Sequence, residues 1–190
     1  MRSHRGITLV EVLVTLVILA IGLLGLVGLQ ARVQVLQIES YQRAQALMLL
    51  DDMAGRLANN RNHAADYITD YVTTPPLGAG IADCSSYGTS TRQLADASEW
   101  CAALNGASET QGGSSVGAMV GGRGCVDDLG GGAYLVTVAW QGLVPIPVPD
   151  ALRDGVACGR DQYDGGTGSV CTGDLCRRFV TTVVQISTLT

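Results

Sequence analysis

No lysine occurs in the 190 residues, and all twelve basic side chains are arginines, set against seventeen acids. That absence removes every chemistry that needs a lysine amine, including a P-loop phosphate grip, a Schiff base and a serine–lysine dyad. Histidine is nearly as scarce, with only His4 and His63, so neither a catalytic triad nor a histidine-rich metal centre finds its usual components. The formal net charge of −5 offers no broad surface for phosphates, and nucleic acid is not expected as a partner. Cysteine is missing from the first 83 residues, and no C-x-x-C pair appears anywhere. The six that exist, Cys84, Cys101, Cys125, Cys158, Cys171 and Cys176, lie on one side of the longest apolar run. That pattern reads as disulfides in an oxidising compartment, with no metal site.

What is present begins at the N-terminus. Residues 1–6 carry Arg2, His4 and Arg5 without an acid, and an apolar run follows from Ile7 to Leu29, broken only by Thr8, Glu11, Thr15 and glycines. As a helix that run measures about 34 Å, enough to cross a hydrocarbon core of roughly 30 Å. Arginines ahead of the span orient it with the N-terminus in the cytoplasm and the cysteine-bearing part on the far side. An ordinary secretory signal has a shorter apolar core and a small-x-small cleavage site, and this run leads instead into Gln30-Ala31-Arg32-Val33, so the segment is expected to be retained. Glu11 is the anomaly. A carboxylate inside a membrane helix costs about 2.5–3.5 kcal/mol at the centre and less near an interface, and such a residue is by default functional.

The stretch Gly6-Ile7-Thr8-Leu9-Val10-Glu11-Val12-Leu13 resembles the class III signal of type IV prepilins and type II secretion pseudopilins: a basic leader ending in glycine, an apolar first mature residue and glutamate at the fifth mature position. The resemblance implies cleavage between Gly6 and Ile7 by a membrane prepilin peptidase, N-methylation of Ile7, and a role for Glu11 in assembly register. Ile7 replaces the commoner phenylalanine, and a branched apolar residue should still be accepted. Gly22, Gly25 and Gly28 recur within the span, each costing a helix interior about 1 kcal/mol relative to alanine. They form either a small-residue packing face or, as in related pilins, a segment that unwinds on filament entry.

From Gln30 to about Ala58 there is no proline and only Gly55. Leu29, Val33, Leu36, Leu47, Leu50, Ala54 and Leu57 step by three and four, predicting an amphipathic helix whose other face holds Arg32, Gln34, Glu39, Gln42, Arg43, Asp52 and Arg56. Asn59-Asn60-Arg61-Asn62 ends the periodicity. The stretch Glu39-Ser40-Tyr41-Gln42-Arg43-Ala44-Gln45-Ala46, with Met53-Ala54-Gly55-Arg56-Leu57 and Asn60-Arg61, resembles the PilV family of minor pilins, the type IV pilus modification proteins.

Residues 64–132 are rich in turn formers, with Pro75-Pro76, Gly78-Ala79-Gly80, Gly112-Gly113-Ser114-Ser115 and Gly121-Gly122-Arg123-Gly124, predicting long surface loops. A short helix is expected over Thr91–Leu104 with Leu94, Trp100 and Leu104 inside. Gly121–Gly124 reads as loop, since no strand precedes it and neither G-x-G-x-x-G nor GK[ST] follows. Ala133–Gln141 and Phe179–Leu189 read as strands, alternating and rich in β-branched and aromatic residues. Pro145, Pro147 and Pro149 suit an edge or an extended connection. Asp161-Gln162-Tyr163-Asp164-Gly165 misses the D-x-[DN]-x-[DN]-G spacing of a calcium loop and reads as a solvated acidic turn. His63, in a helix-end turn, reads as ordinary surface. Among the fifteen connectivities of six cysteines, Cys171–Cys176 comes first because it closes a small loop, and Cys84–Cys101 second.

The expected fold is α+β and type IV pilin-like: a long N-terminal helix, membrane half plus amphipathic half, packed on a small antiparallel sheet with disulfide-stapled loops. The expected parts are a leader at 1–6, a transmembrane and filament-core helix at 7–29, its amphipathic continuation at 30–60, and a periplasmic globular domain at 61–190. The expected role is non-enzymatic and without cofactor: a minor pilin in the complex that primes pilus assembly and sits at the tip, reaching the cell surface from a single-pass position in the inner membrane. Its partners would be other minor pilins, the major pilin, prepilin peptidase, the inner-membrane assembly platform, inner-membrane lipid and a tip adhesin. The alternatives are a minor pseudopilin of a type II secretion system, and a filament-displayed adhesin or DNA-uptake module.

Overall fold

The structure is a computed structural model that describes residues 8–69, 76–81, 83–107, 110–112, 114–115, 117 and 119–187. Gly6 and Ile7, with the rest of the expected leader, lie outside the described residues, as do Pro75, Gly113 and the last two positions of the second expected strand, Thr188 and Leu189. The chain divides into two compact units, Met1–Ser40 and Tyr41–Thr190.

The first unit is helical. Helix α1 (Leu9–Asn59) begins behind Thr8, whose hydroxyl and carbonyl both accept the Glu11 amide, at 3.3 and 3.1 Å. That is the side-chain capping expected of threonine at a helix start. Every residue from Leu9 to Gln34 is exposed. A helix apolar all round is at home only in a membrane or among other apolar helices, and this one is long and apolar enough to cross a bilayer.

The second unit is built on a four-stranded sheet in the order β1 (Leu77–Gly78), β4 (Arg123–Gly130), β5 (Ala133–Gln141), β6 (Arg177–Gln185), antiparallel throughout. A separate two-stranded ribbon pairs β2 (Thr110–Gln111) with β3 (Ser114–Ser115). Helix α2 (Arg92–Leu104) starts at Thr91, whose hydroxyl accepts the Leu94 amide. A third helix, α3 (Asp150–Gly155), follows the proline segment.

One sheet face meets helices. Ala46, Leu50, Met53 and Leu57 of α1 and Trp100 and Leu104 of α2 join Val126, Val136 and Val138 in one core. Each fully buried Leu or Met there contributes ~1.5–3 kcal/mol of transfer free energy. The opposite face is covered around Cys125 and Ala139 by Val156, Cys158 and Tyr163, with Phe179 packed against them. Strand β5 is therefore buried on both sides along its middle, and its inside–outside alternation is lost.

Three disulfides staple the loops: Cys84–Cys101, Cys125–Cys158 and Cys171–Cys176. The first and third are the two pairings expected from chain proximity. Cys125–Cys158 ties the third position of β4 to the loop after α3, and no local spacing singled it out. In the chain-entropy account a loop of that size stabilises by about 4 kcal/mol.

Several expectations need correction. The buried face of α1 is Gln42, Gln45, Ala46, Leu50, Met53 and Leu57, rotated from the expected stripe, so Leu47 is exposed and Ala54 only half-buried. Leu, Met and Ala surround this part of the helix, and the stripe drawn through Leu47 and Ala54 is not the one that packing selects. Gln42, assigned to the outer face, is buried, and so is Gln45, whose side-chain amide donates to the Gly117 carbonyl. The region read as loop between 64 and 132 holds a 3₁₀ helix (Arg61–Tyr67), a second one (Cys84–Tyr87) and the eight-residue strand β4. Arg123 and Gly124 open that strand. Leu94 is half-buried while Asp96 and Ala97 are inside. Pro145, Pro147 and Pro149 do lie in an extended connection, fastened by the Ile146 amide to the Leu175 carbonyl at 2.8 Å.

Candidate functional site

The candidate site is the exposed first unit of α1. Glu11 sits in its first turn, where a carboxylate is favoured by the amide-rich helix end. Gly22, Gly25 and Gly28 lie within the same helix, and a Cβ added at any of them would meet nothing within 4 Å. They are places where a second helix can approach closely, with no clash inside the chain to explain them. Val12 to Ala31 is free of charge, and Arg32 follows on the exposed surface.

Within the globular unit the polar side chains act on structure. Asp96, 2% exposed, accepts from Arg56 at 2.9 Å, lies 3.2 Å from the Arg92 guanidinium, and accepts the Tyr67 hydroxyl at 2.6 Å. Arg56 also reaches Asp52 at 3.0 Å and Glu99 at 2.6 Å. Burial disfavours its charge, yet the bonds to Glu99, Asp52 and Asp96 outweigh that and hold its pKa above the ordinary arginine range. The network joins α1, α2 and the first 3₁₀ helix through one buried carboxylate. The i,i+4 spacings Asp52–Arg56 and Arg92–Asp96 were visible in the sequence; the link between them, forty residues apart, was not.

Burial, then the bond to Asp96, push the Tyr67 hydroxyl up to about 12 from its ordinary 10.0. The folded state therefore favours the neutral phenol. This contribution to stability is complete below about pH 10 and is lost as pH rises towards 12. Chemical denaturation between pH 8 and 12 should show that loss, and Tyr67→Phe should flatten the profile over the same interval. An unchanged slope in the variant would remove Tyr67 as the cause.

The acidic turn is more ordered than expected. Tyr163 is buried, donates its hydroxyl to the Gly121 carbonyl at 2.9 Å and lies under the Arg123 guanidinium at 5.0 Å. Asp164 accepts the amides of Gly173 and Asp174, at 3.0 and 2.8 Å, so it fastens the Cys171–Cys176 loop. Asp161 and Asp164 themselves remain solvent-exposed. Among the described residues no group of three or more His, Cys, Asp or Glu could hold a metal ion. His63 is exposed, with Nδ1 3.0 Å from Asp66.

Residues 1–27 match the family model described as the prokaryotic N-terminal methylation motif. Neither a curated protein nor a solved structure matches the chain. The motif, on an apolar helix long enough to span a membrane and followed by an α+β unit with three disulfides, supports a pilin-type structural protein of the class III prepilin kind, either a pilin or a pseudopilin.

Proposed function

We propose that this chain is a minor pilin of a type IV pilus. It is cleaved between Gly6 and Ile7, N-methylated on Ile7 and incorporated into the tip complex that primes assembly. The observation that carries the reading is the methylation motif over residues 1–27 on a helix exposed on every side from Leu9 to Gln34: processing prepares a segment whose whole surface still needs apolar neighbours. The domain plan follows, with a leader at 1–6, a membrane and filament-core helix at 7–29, its continuation at 30–60 and a periplasmic globular part at 61–190. The likeness of residues 39–61 to PilV-type minor pilins favours a pilus over a secretion pseudopilus. In this reading Gly22, Gly25 and Gly28 give the helix the freedom to pack or unwind on leaving the membrane.

Deleting the chain and counting surface pili, with retraction intact and with retraction disabled, tests the role. Loss of pili that is restored only without retraction marks an assembly primer. Unchanged piliation together with a secretion defect moves the chain to the pseudopilus.

Glu11→Val tests the register role. Its carboxylate must find a cation or take up a proton inside an apolar stack, and the Ile7 amine freed by cleavage is such a cation on a neighbouring subunit. Because a buried ion pair adds little net stability, its use is in penalising wrong registers. The variant should be inserted, cleaved and folded normally but cross-link to other minor pilins roughly tenfold less, about 1.4 kcal/mol of discrimination. Full cross-linking with an unmethylated Ile7 would assign Glu11 to the processing enzymes instead.

A further inference from the structure

Glu11 and Arg32 are the only charged residues between Thr8 and Ile38. They stand on one helix, 21 positions apart, which on an α-helix is about 31 Å of rise and leaves the two side chains within about 60° of a common line. Both are exposed, and among the described residues neither side chain has a partner. The separation forbids them from meeting within one chain. Two parallel helices of this type in register would set acid beside acid and arginine beside arginine. A shift of 21 residues sets Arg32 of one helix beside the acid of the other and lays the other's uncharged Val12–Ala31 along residues 33–52 of the first.

Resting on the reading of this chain as a prepilin-type subunit, we propose that Arg32 is an inter-subunit docking residue that receives the fifth-mature-position glutamate of a neighbouring prepilin-type helix, parallel to α1 and displaced by about 31 Å towards its C-terminal end. The occupant is set by charge complementarity: a guanidinium leaving the lipid headgroup region for an apolar helix stack needs an anion, and the acid of the prepilin signal is one that a helix of this class brings. The contact differs from the pairing of Glu11 with a neighbour's terminal amine, which needs a shift of four residues, about 6 Å. The two are therefore made with different neighbours. A carboxylate has room for both, since its two oxygens offer about four acceptor sites.

The test places a photo-cross-linking amino acid at Val33, beside Arg32, and separately at Leu13, beside the Glu11 turn, in the full-length chain in the bacterium that makes it. Adducts are mapped by mass spectrometry. Val33 adducts falling within one helical turn of the fifth mature residue of another prepilin-type chain are the expected result. Val33 adducts only with phospholipid, or with a neighbour's helix elsewhere, overturn the 21-residue stagger, while Leu13 adducts with prepilin-type chains leave the assembly reading intact. Absence of prepilin-type adducts from both positions overturns both. In parallel, R32E should lower recovery in sheared filaments at least about tenfold, with R32K close to the parent and membrane insertion of both unchanged. Equal recovery of R32E and R32K would overturn the pairing.

Discussion

Gly6→Leu leaves the chain uncut and held in the inner membrane. The proposed cleavage lies one residue ahead of the described structure, two positions before the Thr8 cap of α1. A peptidase that cuts beside a membrane must bring its catalytic groups to a peptide bond next to an apolar helix, and a glycine at the last leader position lets the backbone approach closely. A leucine side chain there fills that space. The consequences extend beyond the cut: without it no Ile7 amine forms, and Glu11 loses the cation that the proposed register pairing supplies. The mature N-terminus is read by mass spectrometry. Intact Met1-bearing protein is the expected species, in amounts at least about a hundredfold over mature chain if the block costs the roughly 2.7 kcal/mol that such a ratio represents. Normal N-methyl-Ile7 in the variant would sink the assignment of the cleavage site.

Where local chemistry decided structure, the sequence was legible. Strand β5 spans Ala133–Gln141 as its alternation predicts, α1 ends at Asn59 where the asparagines begin, and Thr91 opens α2. Where a distant partner decided, the sequence was misleading. Strand β4 carries two glycines and Asp127-Asp128, residues that strands usually avoid, and it is a strand because it lies between β1 and β5. Gln42 looks like an outer-face residue until its neighbours bury it. Asp96 looks like a surface residue of a short helix until Arg56 and Tyr67 arrive from elsewhere in the chain. The candidate site divides the same way. Its signal is a local motif and was read directly, whereas the role of Arg32 emerges only once one continuous helix fixes its spacing from Glu11.

Gly124 is the clearest case of a residue whose meaning came from its surroundings. Taken for a loop glycine, it is a strand residue opposite Val138, and a Cβ built on it would stand 2.3 Å from the Trp100 ring and 2.8 Å from Leu104 Cδ1. Trp100 is fully buried and its indole N–H donates to the Leu49 carbonyl at 2.9 Å, so the ring cannot swing aside without giving up the bond that ties α2 to α1. The glycine is required by close approach and not by an unusual backbone angle. Gly124→Ala should therefore destabilise the globular part by ~1–3 kcal/mol through overpacking, and Trp100→Ala by ~3–5 kcal/mol through the cavity it leaves. The double variant should cost less than the sum by ~0.5–3 kcal/mol, because the new methyl enters the vacated space. Urea unfolding of the four proteins, with the disulfides intact, gives the cycle. Strict additivity would mean that the strand and α2 do not meet at this point, and the account of why β4 carries a glycine there would fail.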